Sequence, residues 1–569
     1  MKQNLKKCVL LSLFAGAVLV PLSAGAEAVL PNNIPDAGTI SNLPKLDPEI
    51  MKMEMADGTY DLKLDTKDYQ SRTMQVNGQA VRFRVYANRI YTAKPVALEY
   101  EQMNIYVPEE YFQGKSINGY TAKTAPIFLP NEVGGYMPGK AGEPEESSRH
   151  PGPNAALTAL SRGYVVAAPA LRGRTLQSAD GKYTGKAPAC IVDYKAAVRY
   201  LRFNRDRLPA GDTEKIISNG TSAGGALSAL LGATGNHPDY AGYLKEIGAA
   251  NERDDIFASM DYCPITNLEH ADMAYEWVFH GVNEYHQGTM GPMIHMPAEG
   301  EGSQMPGSIK VGDKIIPLGP GPVVQRDAAG SAGDRPANAP AESSTVSAMS
   351  AEQVQVSGEL KKLFPAYVNS LGLKAADGSP LTLDADGSGS FRDYIEGIYM
   401  RSAQQALDQG IDLSDQDWLT IENGKVVGMD LALYAQKATR LKAAPAFDAL
   451  DMSSGENNLF GTSKEVCEHF TAFSAQRGSS KLTADSQIIR LMNPMNYIGD
   501  GQATAARHWR IRHGAMDRDT SLAIPAILAA KLANSGYDVD FASPWGRGHD
   551  GDYDLTELFD WADRICKAK

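Results

Sequence analysis

The chain has 569 residues, with 68 Asp and Glu against 55 Lys and Arg, and a formal net charge of −13. That balance excludes an ordinary nucleic-acid binder, which presents a basic footprint; otherwise it argues for solubility and says little about substrate. The length exceeds one ordinary core, so two lobes, or one core with a large insertion, are expected.

The N-terminus reads MKQNLKKCVLLSLFAGAVLVPLSAGAEA. Lys2, Lys6 and Lys7 precede an apolar run, and Ala24, Gly25 and Ala26 spell an A-x-A cleavage site. This is the pattern of a secretory signal peptide over residues 1–26. The mature protein is therefore expected to be secreted or periplasmic, with no cysteine at the cleavage site to carry a lipid. No later run is long and apolar enough to span a bilayer. Cys190, Cys263, Cys467 and Cys566 remain after cleavage. An oxidising compartment permits disulfides, but the spacing selects no pairing and suits free buried thiols equally. No Cys/His spacing suggests zinc, and no cofactor or metal is expected.

Residues 73–106 alternate apolar and polar, as half-buried antiparallel strands do. APIFL (125–129) reads as a central strand that empties into a loop bearing Gly134 and Gly135. GYVVAAPALRGR is a second such strand, and CIVDYKAAVRYLRFN has helical spacing with one apolar face. EKIISNG is a third strand, followed by the small-residue helix SAGGALSALLGATG. Strands alternating with helices predict a mostly parallel α/β sheet covered on both faces. The pattern breaks after Pro264. Residues 289–347 are dense in Gly, Pro, Ser and Met and read as a long flexible loop. Helical text returns in SAEQVQVSGELKKLFPAYVNSL, SFRDYIEGIYMRSAQQALDQG and KEVCEHFTAFSAQRG. DADGSGSF has its glycine at the wrong place for a calcium loop and reads as a polar turn. After Asn493 the strand-helix alternation resumes. The simplest organisation is a core in two parts, 27–264 and 493–569, interrupted by a mainly helical insertion over 265–492.

Within the third strand-helix junction stands GTSAGG, with Ser222 between Gly220 and Gly224. With 54 glycines in the chain an accidental G-x-S-x-G is easily met, so the context decides. A β-branched strand before it and a small-residue helix after it are what a nucleophile elbow requires, because the turn is sharp and crowded. The helix N-terminus also places the Ala223 N–H where an oxyanion would form. A serine needs a base and an acid, expected in the order Ser, Asp, His. RIRHGAMDRD offers Asp517 and Asp519 after one late strand, and GRGHDGDYD offers His549 after the next. Spacing alone leaves Asp517 and Asp519 undecided. His508 and His513 fall in or at the end of a strand, and His150, His237 and His280 have ordinary loop or surface explanations. The second oxyanion N–H is expected from PNEVGGYMPG, at Gly135 or Gly134.

GTSAGG, RHGAMDRDTS, GYDVDF and GHDGDYDLTELFDW together resemble the bacterial tannases (tannin acylhydrolases). The likeness extends over NEVGGYMPG, GKAPACIVDYKAAVRYLRFN, FRDYIEGIYMRSAQQALDQG and KAAPAFDALDMSSGENNLFG, most of the chain outside 289–347. It implies an α/β-hydrolase fold with a large, mainly helical lid insertion, and cleavage of galloyl esters. It further implies the triad Ser222, Asp517 and His549, with Lys442, Glu456 and Asp519 facing the phenolic hydroxyls. Two carboxylates and an ammonium can satisfy three adjacent hydroxyls together, and such a site rejects rings that lack them. Without the resemblance Lys442 and Glu456 read as solvated residues. Fungal tannases place cysteines beside the catalytic serine and histidine; here Thr221 and Asp550 stand there, as in the bacterial type. The expectation is a secreted serine esterase acting on small-molecule galloyl esters, with no nucleic-acid or membrane partner and the oligomeric state left open. The alternatives are a feruloyl or other phenolic-acid esterase, a silent binding protein on the same fold, and a serine peptidase with a capping domain.

Overall fold

The computed structural model describes residues 59–287 and 345–568, together with strand positions at Lys52–Met53, Ser308–Val311 and Lys314–Pro317. The signal-peptide segment and most of the 289–347 loop lie outside the described residues. At the edges of that loop Glu284–Gln287 pairs antiparallel with Thr345–Ala348, and within it Ser308–Val311 pairs antiparallel with Lys314–Pro317. Among the described residues no helix is long and apolar enough to cross a membrane.

Nine strands form one mixed sheet: β1 (Gln70–Val76), β2 (Gln79–Ile90), β3 (Gln102–Pro108), β4 (Pro126–Pro130), β5 (Val165–Pro169), β6 (Asp212–Thr221), β7 (Ala258–Tyr262), β8 (His508–Arg512) and β9 (Asp538–Ala542). Their spatial order is β9-β8-β7-β6-β4-β5-β3-β2-β1. Strands β4 to β9 pair in parallel, while β1, β2 and β3 run as an antiparallel extension joined through β3 to β5. This is the α/β-hydrolase arrangement. The β1–β2 turn is Asn77-Gly78, both at positive φ (49° and 76°), which matches the twist of a two-residue hairpin.

The parallel strands read as continuous apolar runs because both faces are covered; every residue of β4, β5 and β7 is buried. Strand β7 escaped the sequence reading because its text, ASMDY, carries Ser259 and Asp261. In the fold Ser259 donates to Asp261 at 2.6 Å, and burial raises the Asp261 carboxyl well above the ordinary range. Helix α1 (Ala155–Ser161) packs near the C-terminal helix, and α2 (Ala189–Phe203) packs on α3 (Ala223–Ala233). The expected single apolar face of α2 is instead burial nearly all round. Its charges are paired, Asp193 with Arg172 at 2.6 Å and Lys195 with Asp254 at 2.7 Å.

Between β7 and β8 the chain leaves the sheet. Helices α4 (Leu268–Phe279), α5 (Ala351–Ser370), α6 (Ser390–Asp408) and α7 (Leu431–Ala438) share a core in which Trp277 contacts Phe364 and Phe391 with ring centroids 5.3 and 5.8 Å away. This segment rests on the loops beyond β8 and β9: Trp418 stacks on Trp545 at 5.6 Å, and Tyr434 donates to the Ala515 carbonyl at 2.8 Å. KEVCEHFTAFSAQRG, expected to be helical, is helical only over Ala472–Arg477. The Asp448 carboxylate takes the backbone N–H groups of Phe470 and Thr471 and the His469 ring, which holds the first half out of a helix. Helix α8 (Ala523–Asn534) precedes β9, and α9 (Leu555–Lys567) closes the chain. Phe559 of α9 packs on Phe128 and Tyr164 at 5.3 Å each. Such aromatic pairs contribute about 0.5–1.5 kcal/mol beyond the area they bury. Cys190, Cys263, Cys467 and Cys566 are free and buried.

Candidate active site

Strand β6 ends at Thr221 and α3 begins at Ala223, so Ser222 alone makes the turn. Its backbone lies at φ 60° and ψ −121°, a conformation that costs a non-glycine residue about 1–3 kcal/mol unless the surroundings impose it. They do. Ser222 N–H donates to the Tyr262 carbonyl at 2.9 Å. The buried Asn131 amide donates to the carbonyls of Asn219 and Gly224, each at 3.0 Å, and so bridges the strand and the helix. Gly220 is obligatory: a Cβ there would stand 2.3 Å from the Gly224 oxygen and 2.5 Å from Asn131 Nδ2.

The loops after β8 and β9 bring Asp517 and His549 to this turn. Met516 N–H donates to Arg547 O at 2.8 Å, and a Cβ on Gly514 would stand 2.2 Å from that same oxygen, so the loops touch backbone to backbone. The His549 loop is further tied down by Asn219, which donates to Asp552 at 3.0 Å, and by His150, 3.0 Å from Asp550. His150 is therefore half-buried in its loop, where it braces the His549 loop.

His549 Nε2 lies 2.8 Å from Ser222 Oγ, and Nδ1 lies 2.8 Å from Asp517 Oδ2. Asp517 also accepts the backbone N–H groups of Asp519 (2.8 Å) and Thr520 (3.2 Å), which fixes its carboxylate. Of the two aspartates left open by spacing, Asp517 is the one on Nδ1, while Asp519 Oδ2 stands 3.7 Å from Nε2. With Nδ1–H held by Asp517, a neutral imidazole keeps Nε2 as an acceptor for the serine O–H. Burial opposes charge on both partners, but their attraction outweighs it. The Asp517 carboxyl is held well below its usual range, and Asp517 and then Asp519 raise the His549 imidazole well above its own.

Ala223 is the first residue of α3, so its N–H has no acceptor within the helix. Gly135 lies in the loop after β4, in a turn where Gly135 and Tyr136 both have positive φ (53° and 57°). The Gly134 carbonyl accepts from Met137 N–H at 2.9 Å, which directs the N–H of Gly135, on the same trans peptide, the opposite way. Val133 O lies 2.8 Å from where a Cβ on Gly224 would stand, so this loop abuts the serine turn.

Lys442 and Asp519 meet directly, Nζ to Oδ2 at 2.9 Å. Neither is freely solvated: the Lys442 ammonium sits over the Phe447 ring at 4.2 Å, and its carbonyl accepts from Arg440 Nε at 2.6 Å. Burial works against the ammonium, but Asp519 and then Glu456 raise its pKa. Glu456 lies in the single-turn helix Gly455–Leu459, capped by Ser454; burial raises its carboxyl, and Lys442 opposes the rise. Contacts thus join Ser222, His549, Asp517, Asp519 and Lys442, with Glu456 close enough to act on the Lys442 ammonium.

Three groups escaped the sequence reading. Arg174 donates from Nε to Gly135 O at 2.8 Å and from Nη1 to Asn458 Oδ1 at 3.1 Å, so it joins the glycine loop to the Glu456 turn. Cys263 and His513 are buried against the Asp517–His549 pair. No spacing marks these three, because their partners are far away in the chain; only the position of His513 four residues before Asp517 was visible.

The sequence profile of the BD-FAE family matches residues 134–296. A 59-residue stretch is 46% identical to Esterase LipC of Mycobacterium tuberculosis, covering 10% of this chain and spanning 14% of that relative's length. The fold is similar to the tannase of Fusobacterium nucleatum, at 48% identity and TM-score 0.78, covering 89% of this chain and 100% of that one. It is also similar to the tannin acyl hydrolase of Lactobacillus plantarum (42%, TM-score 0.77, 89% and 99% covered). A tannin acyl hydrolase solved in complex with ethyl gallate matches equally well (42%, TM-score 0.77, 89% and 99%). With that identity over the full length of the solved enzymes, the chain belongs to the tannases, a family of carboxylic ester hydrolases.

Proposed function

We propose that the protein is an exported serine esterase that hydrolyses galloyl esters through an acyl-enzyme on Ser222. One observation carries the reading: the chain of hydrogen bonds from Ser222 Oγ through His549 to Asp517, with the Lys442–Asp519 pair beside His549 Nε2. His549 Nε2 takes the hydroxyl proton as Oγ bonds to the ester carbon, and the oxyanion is received by the N–H groups of Ala223 and Gly135. The C–O bond to the alcohol then breaks, and His549 returns the proton to the departing oxygen. A water, deprotonated by His549, attacks the acyl carbon and releases gallate and free Ser222.

Lys442, Asp519 and Glu456 would hold the ring, the ammonium as donor and the carboxylates as acceptors of the phenolic O–H groups. A ring without hydroxyls would leave these half-buried charges without partners, which is the basis of selectivity. The helical segment between β7 and β8 supplies two of the three, which suits a lid over the cleft. Export rests on the signal-peptide pattern of residues 1–26.

The test compares methyl gallate, methyl ferulate and an amino-acid arylamide on wild type, Ser222→Ala and the double variant Lys442→Ala with Glu456→Ala. Ser222→Ala is expected to lower kcat by about a million-fold on every substrate. The double variant is expected to lose gallate preferentially. Gallate turnover that survives the double variant overturns the ring recognition, and undiminished turnover by Ser222→Ala overturns the triad.

A further inference from the structure

His513 follows directly on β8 and is completely buried, yet neither ring nitrogen makes a hydrogen bond. Two unsatisfied nitrogens in a protein interior cost about 1–3 kcal/mol each and call for a reason. Nδ1 stands 3.6 Å from Asp517 Oδ2. Close by lies the buried thiol of Cys263, directed at the Asp550 carbonyl at 3.2 Å. One donor atom from each of Cys263, His513 and Asp517 falls within 4.8 Å of the others.

We propose that Cys263, His513 and Asp517 form a binding site for a borderline-soft divalent cation, Zn²⁺ above all, and that filling it switches the esterase off by taking the Asp517 carboxylate from His549.

The donor set is the argument for the metal. A thiolate, an imidazole and a carboxylate are the three ligand types zinc prefers, and hard cations that want only oxygen are poorly served by them. Tetrahedral zinc with bonds of about 2.0–2.3 Å needs donors roughly 3.4–3.8 Å apart, so closure requires a contraction of about 1 Å, within reach of side-chain rotation. Binding converts the Cys263 S–H to a thiolate and releases its proton to solvent. Neutral His513 gives a ring lone pair, and water or the cleft supplies the fourth position.

The inhibition follows from shared atoms. Asp517 Oδ2 is both the oxygen facing His513 and the acceptor of His549 Nδ1–H. A cation on it withdraws the charge that fixes the imidazole and favours its protonation, so Ser222 loses an effective base. Entry runs past His549, whose side chain is 11% exposed, and Asp519, at 30%.

The experiment titrates the enzyme with Zn²⁺ in a non-coordinating buffer, with EDTA reversal, and reads the rate of each variant against its own metal-free rate. Wild type is expected to be inhibited at one ion per chain and fully restored by EDTA. Cys263→Ser and His513→Gln are each expected to need at least tenfold more Zn²⁺, whereas Cys190→Ser is expected to behave as wild type. Co²⁺ on the wild type gives a readout that needs neither turnover nor a variant: a thiolate-to-cobalt charge-transfer band appears in step with occupancy, even if galloyl esters prove not to be the substrate. Absence of that band at saturating Co²⁺ overturns the proposal. So does unchanged zinc sensitivity in both variants, which puts the ion on His549 or the cleft carboxylates, and so does full activity at millimolar Zn²⁺.

Discussion

The Asp519 carboxylate lies near two nitrogens it serves differently, 2.9 Å from Lys442 Nζ and 3.7 Å from His549 Nε2. The charge proposed to hold the ring and the proposed general base therefore share one field. His549 must be neutral to accept the Ser222 proton, so the rate falls as pH drops through the His549 pKa, which Asp517 and Asp519 raise against the opposing effect of burial. Asp519→Asn removes part of that field, and the acidic limb of kcat/KM is expected to move to lower pH. Lys442→Met leaves Asp519 without its counter-charge, and the limb is expected to move to higher pH. p-Nitrophenyl acetate is the substrate to use, since its acyl group carries no ring for these charges to accept or reject. Shifts of the same sign in both variants would falsify the shared-field account.

Arg174 spans the glycine loop and the Glu456 turn, with one bond to Gly135 O and one to Asn458 Oδ1. Cutting both links should disturb both jobs. Losing an oxyanion donor outright costs about 10²–10³ in kcat, so a merely loosened one is expected to cost about tenfold. Arg174→Gln is thus expected to lower kcat about tenfold on p-nitrophenyl acetate and on methyl gallate, and to raise KM for gallate alone. Asn458→Ala cuts only the second link and should raise the gallate KM with little change in kcat. If Arg174→Gln moves KM and leaves kcat on the acetate ester intact, Arg174 does not support the glycine loop.

Gly220 tests the turn without touching a charge. A Cβ there meets the backbone oxygen of Gly224 at 2.3 Å and Asn131 Nδ2 at 2.5 Å, and that side-chain end is held by its bonds to the Asn219 and Gly224 carbonyls. Gly220→Ala should displace Ser222 by a fraction of an ångström or more. A displacement near 1 Å can cost about a hundredfold in rate. The expected result is a loss of at least that order in kcat with an unchanged far-UV circular dichroism spectrum, because the sheet itself is not invaded.

The parts of the fold that were legible in the sequence are those carried by local chemistry. The apolar runs of β4 and β5 and the small residues around Ser222 each declare themselves within a few positions. Strand β7 did not, because a buried carboxylate bonded to its own neighbour, Asp261 to Ser259, looks polar on paper. The stretch before Ala472 misled for the opposite reason: its helical spacing is real, but Asp448, more than twenty residues earlier in the chain, claims its backbone N–H groups. Likewise, spacing could offer Asp517 and Asp519 as equals, since only the folded loop decides which carboxylate meets Nδ1. The trio proposed to hold the ring, Lys442, Glu456 and Asp519, was suggested by family likeness alone.

A last prediction separates stability from recognition. Arg440 and Glu276 form a two-bond ion pair with no solvent exposure, Nη2–Oε1 at 2.5 Å and Nη1–Oε2 at 3.0 Å, and Ser357 adds a bond to Oε2 at 2.6 Å. Removing one member strands a buried charge, which costs about 3–5 kcal/mol, while replacing both by apolar groups of similar size is often close to neutral. Glu276→Ala is therefore expected to lower the urea midpoint sharply, and Glu276→Leu with Arg440→Met to recover most of the loss. Arg440 also donates from Nε to the Lys442 carbonyl at 2.6 Å, a bond the double variant cannot make. Its KM for methyl gallate should therefore stay raised after stability has returned, while p-nitrophenyl acetate is turned over as by the wild type. A double variant that regains both stability and gallate affinity would show that Lys442 is held in place by Asp519 and Phe447 without help from Arg440.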